Sequence, residues 1–500
     1  MVRMVLMEVM VLPKMEARMR SRIRVNKLRG LLYLFSSIAP WGAGAYELQI
    51  SRIESSINSC YPKILSAVIQ QELNQGKVKK NEAPFDFRLD ADALQRQGST
   101  YNTTYQKIAL EKRFYGSPVS AYAGYDISGG YTPQYDSAQI TSTLGRQFVG
   151  LKMNLLSGFT MDEERLNLYN SMLDKEKSDY ELDLSRLLVK TEAMKAYMGW
   201  VIAGAELQAY EKLLHIAETR QNALEKRFKN GDIAEISVKE NYNNVLKRKM
   251  KVTSAKDYFN KASQYLALYY RDQRCNIVTP NQNLLPKTLP EVNKIPEQPI
   301  VDEVNNAVKN RPEFKIIQTQ LQQIVNQQKL AGNYLLPKLN LSVQYNQNNS
   351  DTATSSYFQL NQQEAVGKLN FSMPLERSYG KGMDKETEAS YRKLLNDRQL
   401  LLDQLKAQLE TLHYSVDATA SQVDMSKTEN KLATDLLNAE NRRVQNGDSN
   451  FFMLNLREDN ATNSYLNYIN VIAGNYQALI EYNFLTGNNV HLTKAYPQFN

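Results

Sequence analysis

Two spacings of apolar residues divide the chain. From Met161 to Phe228 no proline interrupts the sequence, and Leu166, Leu173, Tyr180, Leu187, Met194 and Val201 recur at every seventh position among charged residues. From Met383 to Asn446 there is neither glycine nor proline, and Leu395, Leu402, Leu409 and Val416 form a second such seam with Leu405 and Leu412 beside it. A seven-residue apolar repeat packs a helix lengthwise along a neighbour. Long helices are therefore predicted over 161–228 and 383–446, each on the order of 100 Å at about 1.5 Å per residue. Elsewhere the period is two. Phe85, Phe87, Leu89 and Ala91 alternate with Asp86, Arg88, Asp90 and Asp92, the pattern of a strand with one apolar and one wet face. Further strands are expected at 102–114, 117–129 and 146–156 within an 85–156 strand region, and at 338–348 and 364–374 within 338–374.

Each long helix ends in the same words. ArgXxxXxxAsnGlyAsp runs from Arg227 to Asp232 and again from Arg443 to Asp448. Glycine adopts the left-handed conformation that ends a helix, and the aspartate is a candidate cap for the next one. Shorter helices are predicted after each reversal, over 234–271 and 450–485, and before the strands, over 47–78 with a break near Tyr61-Pro62 and over 302–332. Other anchors recur in order, Pro84 with Pro337 and Val149-Gly150 with Val366-Gly367. The last two anchor pairs keep almost the same separation, while Pro84 and Pro337 lie farther apart, so the first half carries an insertion between Pro84 and Gly150. The period is far too long for a solenoid. The reading is two structural repeats, 46–272 and 302–487, joined by a proline-rich linker at 273–301 and followed by a tail at 488–500.

Charge changes this picture little. The net charge of +8 over 500 residues is concentrated in residues 1–45, which hold eight Lys or Arg and two acids. The rest is nearly neutral, which gives no basis for a nucleic-acid partner. Residues 1–45 have a basic stretch from Arg18 to Arg29, an apolar run from Leu31 to Ile38 and small residues at Ala43, Gly44 and Ala45, the pattern of a secretory leader cleaved before Tyr46. The leader is long and rich in methionine, and Met15 and Met19 are alternative starts. A membrane anchor is the rival reading, but the run is far below the roughly 20 residues needed to span a bilayer. Cys60 and Cys275 are read as two unpaired small apolar residues, with a disulfide the alternative in an oxidising compartment. His215, His413 and His491 form no metal-ligand spacing, and there is no phosphate loop or nucleophile motif. No enzyme activity, cofactor or metal is expected.

A helical hairpin of that length cannot bury both its faces alone, and a few amphipathic strands cannot close a barrel alone. Several copies around one axis solve both problems. The strands would then complete a membrane barrel with Phe85, Phe87, Leu89 and Ala91 toward lipid, and the helices a tube. At this point the chain resembles the TolC-type outer membrane efflux factors over about 47–487. The resemblance is carried by the duplicated order of AlaPro or LeuPro, strand, ValGly strand, long helix, reversal and closing helix, the last ending TyrLeuAlaLeuTyrTyrArgAsp at 265–272 and GluTyrAsnPheLeuThrGly at 481–487. It implies a mainly α protein with a membrane β part: a homotrimer whose 12-stranded β-barrel in outer membrane lipid continues into a long periplasmic α-helical barrel. It also implies that the reversals dock a periplasmic adaptor (membrane fusion protein) bound to an inner-membrane pump. Carried over residue by residue, the docking candidates are Arg227, Asn230, Gly231, Asp232 and Ile233 with Arg443, Asn446, Gly447, Asp448 and Ser449.

The chain departs from that family twice. Where some members close the tube with two aspartates after the second glycine, this sequence has Met453 and Leu456, so Phe451, Phe452, Met453 and Leu456 are candidates for an apolar constriction, with simple packing between helices as the alternative. The insertion after Pro84 is long enough for an added hairpin, which would raise the strand count above twelve. Two other functions stay open: a soluble coiled-coil scaffold, and, among channels, an exit duct for type I protein secretion in place of drug or metal efflux.

Overall fold

The computed structural model describes residues 47–99, 101–132, 139–287, 295, 298–350 and 363–496. The leader reading at 1–45 lies outside them. Helices α1 (Ile50–Cys60) and α2 (Pro62–Glu82) lead through a short 3-10 turn, Ala83–Phe85, into strands β1 (Arg88–Gln97), β2 (Asn102–Arg113), β3 (Val119–Tyr131) and β4 (Arg146–Asn154). The long helix α3 (Glu163–Lys229) and its return α4 (Glu235–Ala267) come next. Then come α5 (Ile300–Asn310), α6 (Pro312–Tyr334), β5 (Lys338–Asn348), β6 (Gln363–Ser372), the long helix α7 (Ser378–Gln445), its return α8 (Phe451–Leu485) and a short α9 (Leu492–Ala495).

The six strands form one antiparallel meander in the order β1-β2-β3-β4-β5-β6. Its register carries one apolar face across every strand: Leu89 opposes Leu110 and Ala91 opposes Ile108, Leu110 opposes Ala123, Ala123 opposes Val149, Val149 opposes Tyr345, and Leu341 opposes Leu369. Because strand side chains alternate, a slip of one residue in any pair would break this continuity. Four strands come from the first half and two from the second, so the extra length after Pro84 is accommodated as strand. Phe85 is a correction to the predicted lipid-facing row. It is the last residue of the 3-10 turn, directly after Pro84, and is buried, with the Tyr115 ring 6.3 Å away. Phe87 precedes β1 and is exposed, while Leu89 and Ala91 lie on the apolar face.

The long helices organise the remainder. α3 has 67 residues and α7 has 68, so both run on the order of 100 Å. The Asp162 side chain caps α3 by accepting from the Arg165 N–H at 2.8 Å. Around Val189 to Leu207, α3 is enclosed on nearly every side, with Trp200, Ala193 and Ala203 fully buried against residues of α1, α4, α8 and the C-terminal segment. An apolar girdle of this kind fixes neighbouring helices by close packing. A second cluster joins α5, α6, α7 and α8 through Phe314, Leu405, Leu409, Val416 and Leu485. α7 starts at Ser378, five residues before the predicted boundary at Met383, and continues through Gly380 and Gly382. Packing explains the difference. A Cβ at Gly380 would come within 3.0 Å of the Tyr334 backbone, so the glycine lets α7 approach the end of α6. α5 and α6 also divide the predicted 302–332 helix, at Arg311-Pro312.

The two cysteines are joined, which corrects the unpaired reading. Cys60 at the end of α1 and Cys275 in the connection after α4 form a disulfide with a Cα–Cα distance of 5.2 Å across 215 residues of sequence. In the chain-entropy picture, closing so long a loop is worth about 5 kcal/mol. The proline-rich connection beyond it is seated as well: Leu285 is buried on Gly204, where a Cβ would lie 2.4 Å from Leu285 Cδ1. The segment after Gly487 packs too, with Leu492 and Tyr496 buried. It is held to α1 through Glu54, which also forms a buried ion pair with Lys190 of α3, and to α3 by Asn489, whose Nδ2 donates to Thr191 Oγ1 at 2.9 Å. Lys190 Nζ lies 2.7 Å from Glu54 Oε1, and the Thr493 N–H donates to Glu54 Oε2 at 3.0 Å.

Burial by itself would raise the Glu54 carboxyl, but its hydrogen bonds from Lys190 and Thr493 hold it below the usual carboxylate range. Its stabilisation is therefore present above the ordinary carboxylate pKa and is lost as pH falls through the lowered folded-state value. Lys190→Met should cost about 3 kcal/mol by leaving the Glu54 charge buried without its partner. Thermal unfolding in detergent checks this. The deficit should be large at neutral pH and shrink in acid, where Glu54 takes up a proton; a deficit independent of pH would contradict the assignment.

Candidate functional site

Three surfaces carry the chemistry that a transport role would use: the two faces of the sheet, a buried charge cluster between the helical hairpins, and the pair of reversals. The opposite face of the sheet from the apolar band is polar. Asp126 on β3 is buried and accepts from Arg146 Nε at 3.0 Å, Arg146 Nη2 at 2.6 Å and the Tyr105 hydroxyl at 3.0 Å. Asn346 Nδ2 donates to Glu364 Oε2 at 2.8 Å, and the Tyr122 hydroxyl donates to Gln344 Oε1 at 2.9 Å. Aromatic rings fill the glycine positions of this face: the Phe148 ring lies where a Cβ of Gly124 would be, at 2.5 Å, and the Tyr122 ring lies over Gly150 at 2.4 Å. These contacts let adjacent strands curl closely around the polar side. One face suited to hydrocarbon and one suited to water on the same strands is the arrangement of a membrane barrel wall. Among the described residues, no helix is long and apolar enough to cross a membrane.

Below the sheet, α8 packs on both α7 and α3, and α3 on α4. One buried carboxylate ties three of these four helices. Glu458 on α8 is 3% exposed and receives Arg248 Nη2 of α4 at 2.9 Å and Arg220 Nη1 of α3 at 3.1 Å, with Arg220 Nη2 on its other oxygen. Arg220 also donates to Asn455 Oδ1 at 2.5 Å, and Arg248 to the Leu213 carbonyl at 3.2 Å. Asp459 adds a longer contact to Arg248 at 3.4 Å. Glu458 and Asp459 stand out in the sequence as acids that miss the family's gate positions, but nothing there shows their partners, which lie more than two hundred residues away. Glu458 is thus an internal clamp between hairpins. Of the constriction candidates, Phe451 has the Arg220 guanidinium 5.9 Å from its ring centroid, Phe452 is 71% exposed, Met453 is half-buried and Leu456 is exposed.

The two reversals have the same geometry. Gly231 and Gly447 sit at φ 80° and 82°. The Asp232 N–H donates to the Arg227 carbonyl and the Asp448 N–H to the Arg443 carbonyl, both at 2.9 Å, while Gly231 and Gly447 donate to Phe228 at 2.9 Å and Val444 at 3.2 Å. This paired bonding satisfies the last carbonyls of each long helix. The aspartates close the turn through their backbones. They do not cap the next helix, which corrects that expectation: Ala234 precedes α4 with no side-chain cap, and α8 is capped by Asn450, whose side chain accepts from the Met453 N–H at 2.9 Å. The second reversal is braced further, with Arg443 donating to the Asp448 carbonyl at 3.2 Å and the Ser449 hydroxyl donating to Glu440. Asn230, Gly231, Asp232, Asn446, Gly447 and Asp448 are exposed, and Ile233 is half-buried.

No family model matches the chain, and no curated protein sequence matches it. Solved structures do. The outer membrane protein VceC from Vibrio cholerae superposes with a TM-score of 0.60 at 14% identity, over 88% of this chain and 95% of that one. The CmeC outer membrane channel of Campylobacter jejuni gives 0.58 at 12% identity, over 92% and 94%. The open state of the MtrE outer membrane channel of Neisseria gonorrhoeae gives 0.60 at 13% identity, over 92% and 96%. Nearly whole chains align on both sides, so the likeness covers sheet, long helices and reversals together. The fold is that of these outer membrane channels, in keeping with the resemblance to the TolC-type family.

Arg248→Met should loosen the clamp, because Glu458 would keep a buried charge with one guanidinium fewer; loss of a partner from a buried pair costs about 3 kcal/mol or more. Amide hydrogen exchange reports it directly. Faster exchange is expected in α3 around 213–224 and in α8 around 454–462, with the Trp200 region unchanged. Uniformly accelerated exchange would mean a general loss of folding and would contradict a local clamp.

Proposed function

We propose that the chain forms the passive exit duct of a tripartite export system, located in the outer membrane and extending into the periplasm. Three copies assemble, their sheets closing a barrel in lipid and their helices a periplasmic tube. The duct performs no reaction and needs no cofactor. Energy comes from an inner-membrane pump, reached through a periplasmic adaptor that docks on the reversals at Asn230 to Ile233 and Asn446 to Ser449. The two-repeat organisation, 46–272 and 302–487, would give that docking end six similar turns per trimer.

The observation that carries this reading is the unbroken apolar face of all six strands, joined to helices whose reversals lie about 100 Å from the sheet along the helix axis. In a water-soluble scaffold the same face would expose Leu89, Val149, Leu151, Leu369 and Phe371 to solvent, well beyond an ordinary apolar patch. The two named channel neighbours, CmeC and MtrE, are outer membrane channels in their own descriptions.

Gly231→Val and Gly447→Val test the docking end. Open space surrounds both positions, so valine meets no clash there, but a left-handed backbone costs an L-residue about 1–2 kcal/mol. The double variant should reach the outer membrane as an oligomer and lose most export in a cell carrying its pump and adaptor. Undiminished export by a variant with normal membrane levels would overturn the docking assignment.

A further inference from the structure

The strands at the two ends of the sheet are left with an open side. β6 is exposed at every position, and β1 is mostly exposed. Among the described residues no strand pairs with the outer edge of either one. An exposed ten-residue edge strand is a template for pairing, and in lipid its free amide and carbonyl groups cannot remain unsatisfied. The helices also leave apolar residues uncovered, Ile69 and Leu73 on α2, Tyr242 and Met250 on α4, and Tyr414 and Met425 on α7.

We infer that β6 of one copy pairs antiparallel with β1 of the next over their full length, placing Asp92 opposite Lys368, Leu94 opposite Val366 and Arg96 opposite Glu364, and that each copy contributes six strands to the barrel, 18 in a trimer. The inference rests on the exit-duct reading above and adds the seam, its register and the strand count.

The register is set by three constraints. β1 and β6 each have ten residues, the length that crosses a bilayer as a tilted strand, so full overlap leaves no backbone group bare. The apolar face must continue across the seam, which admits only registers that set odd-numbered residues opposite odd-numbered ones. Full overlap meets that condition, placing Leu89 against Phe371 and Ala91 against Leu369. On the polar face it sets two opposite-charge pairs directly across the seam, the arrangement that stabilises cross-strand neighbours; of the registers displaced by two residues, one keeps a single such pair, Asp90 against Lys368 with Asp92 on Val366, and the other keeps none, with Asp92 on Asn370. Strand direction fits as well. β1 and β6 run oppositely in one meander, so joining β6 to β1 keeps every pair antiparallel around the ring. Such a head-to-tail contact uses two different surfaces and closes by rotation.

The strand count comes from β2 and β3. They are bonded between β1 and β4, and Ile108, Leu110, Ala123 and Tyr125 continue the same apolar band. They are therefore wall and not a folded-in plug. Barrel diameter grows roughly in proportion to strand number, so this mouth is wider than a 12-stranded one.

Cysteine pairs in the full-length chain test the seam, the native thiols being already joined. Successive antiparallel pairs alternate between hydrogen-bonded and non-bonded spacing, so D92C with K368C and A91C with L369C sample both. In outer membranes, mild oxidation should convert at least one pair into a covalent ladder ending at three copies, while D92C with V366C and D92C with N370C give little. D92K should abolish the cross-linkable ring formed by A91C with L369C, and D92K with K368D should restore it. Preferential linking of a displaced pair overturns the register. A ladder ending at two copies, twelve strands, overturns the count. An oligomer that reaches the outer membrane and links through none of these pairs overturns the seam and leaves the duct reading standing; a chain absent from the outer membrane overturns both.

Discussion

The backbone hydrogen bond is the constraint on which this structure turns. Hydrocarbon offers no partner to an amide or carbonyl group, so a sheet that presents an apolar face to lipid must also close on itself. Among the described residues one chain supplies six strands and leaves two edges. In the proposed duct closure comes from further copies, with the long helices below arranged around the same axis. The apolar stripes left on α2, α4 and α7 are the surfaces such an arrangement would cover.

Within the chain, stability is concentrated where the helices crowd together. The girdle around Trp200, the buried Lys190–Glu54 pair and the Cys60–Cys275 bridge bring α1, α3, α4 and α8 together with the segments that follow α4 and α8. Nearer the reversals the buried Glu458 carboxylate ties α8 to α3 and α4, holding one hairpin to the other. A buried charge is a weak source of net stability but a strong source of specificity, because its alternatives are costly.

Much of this was legible in the chain. The seven-residue seams at Leu166 to Val201 and Leu395 to Val416 marked α3 and α7, and the repeated AsnGlyAsp marked their ends, because helix packing and left-handed glycine turns are local properties. Alternation marked the strands. The features that stayed hidden depended on partners distant in sequence: the bridge between Cys60 and Cys275, the guanidiniums around Glu458, and the close approach that lets α7 start before Gly380. Phe85 was misplaced for a local reason, since Pro84 favours a tight turn that the two-residue period could not reveal. The caps after the reversals differ from expectation because a shared turn motif does not dictate how the next helix begins.

The duct depends above all on the sheet being a wall in lipid with its apolar face outward. Depth-resolved quenching by brominated lipids measures that directly, using single tryptophans placed by Leu369→Trp on the apolar face and Lys368→Trp on the polar face, each read as a difference from the parent protein in reconstituted vesicles. Strong quenching at 369 with little at 368 is the result this account predicts. Equal quenching at both positions, or none at either, would contradict it.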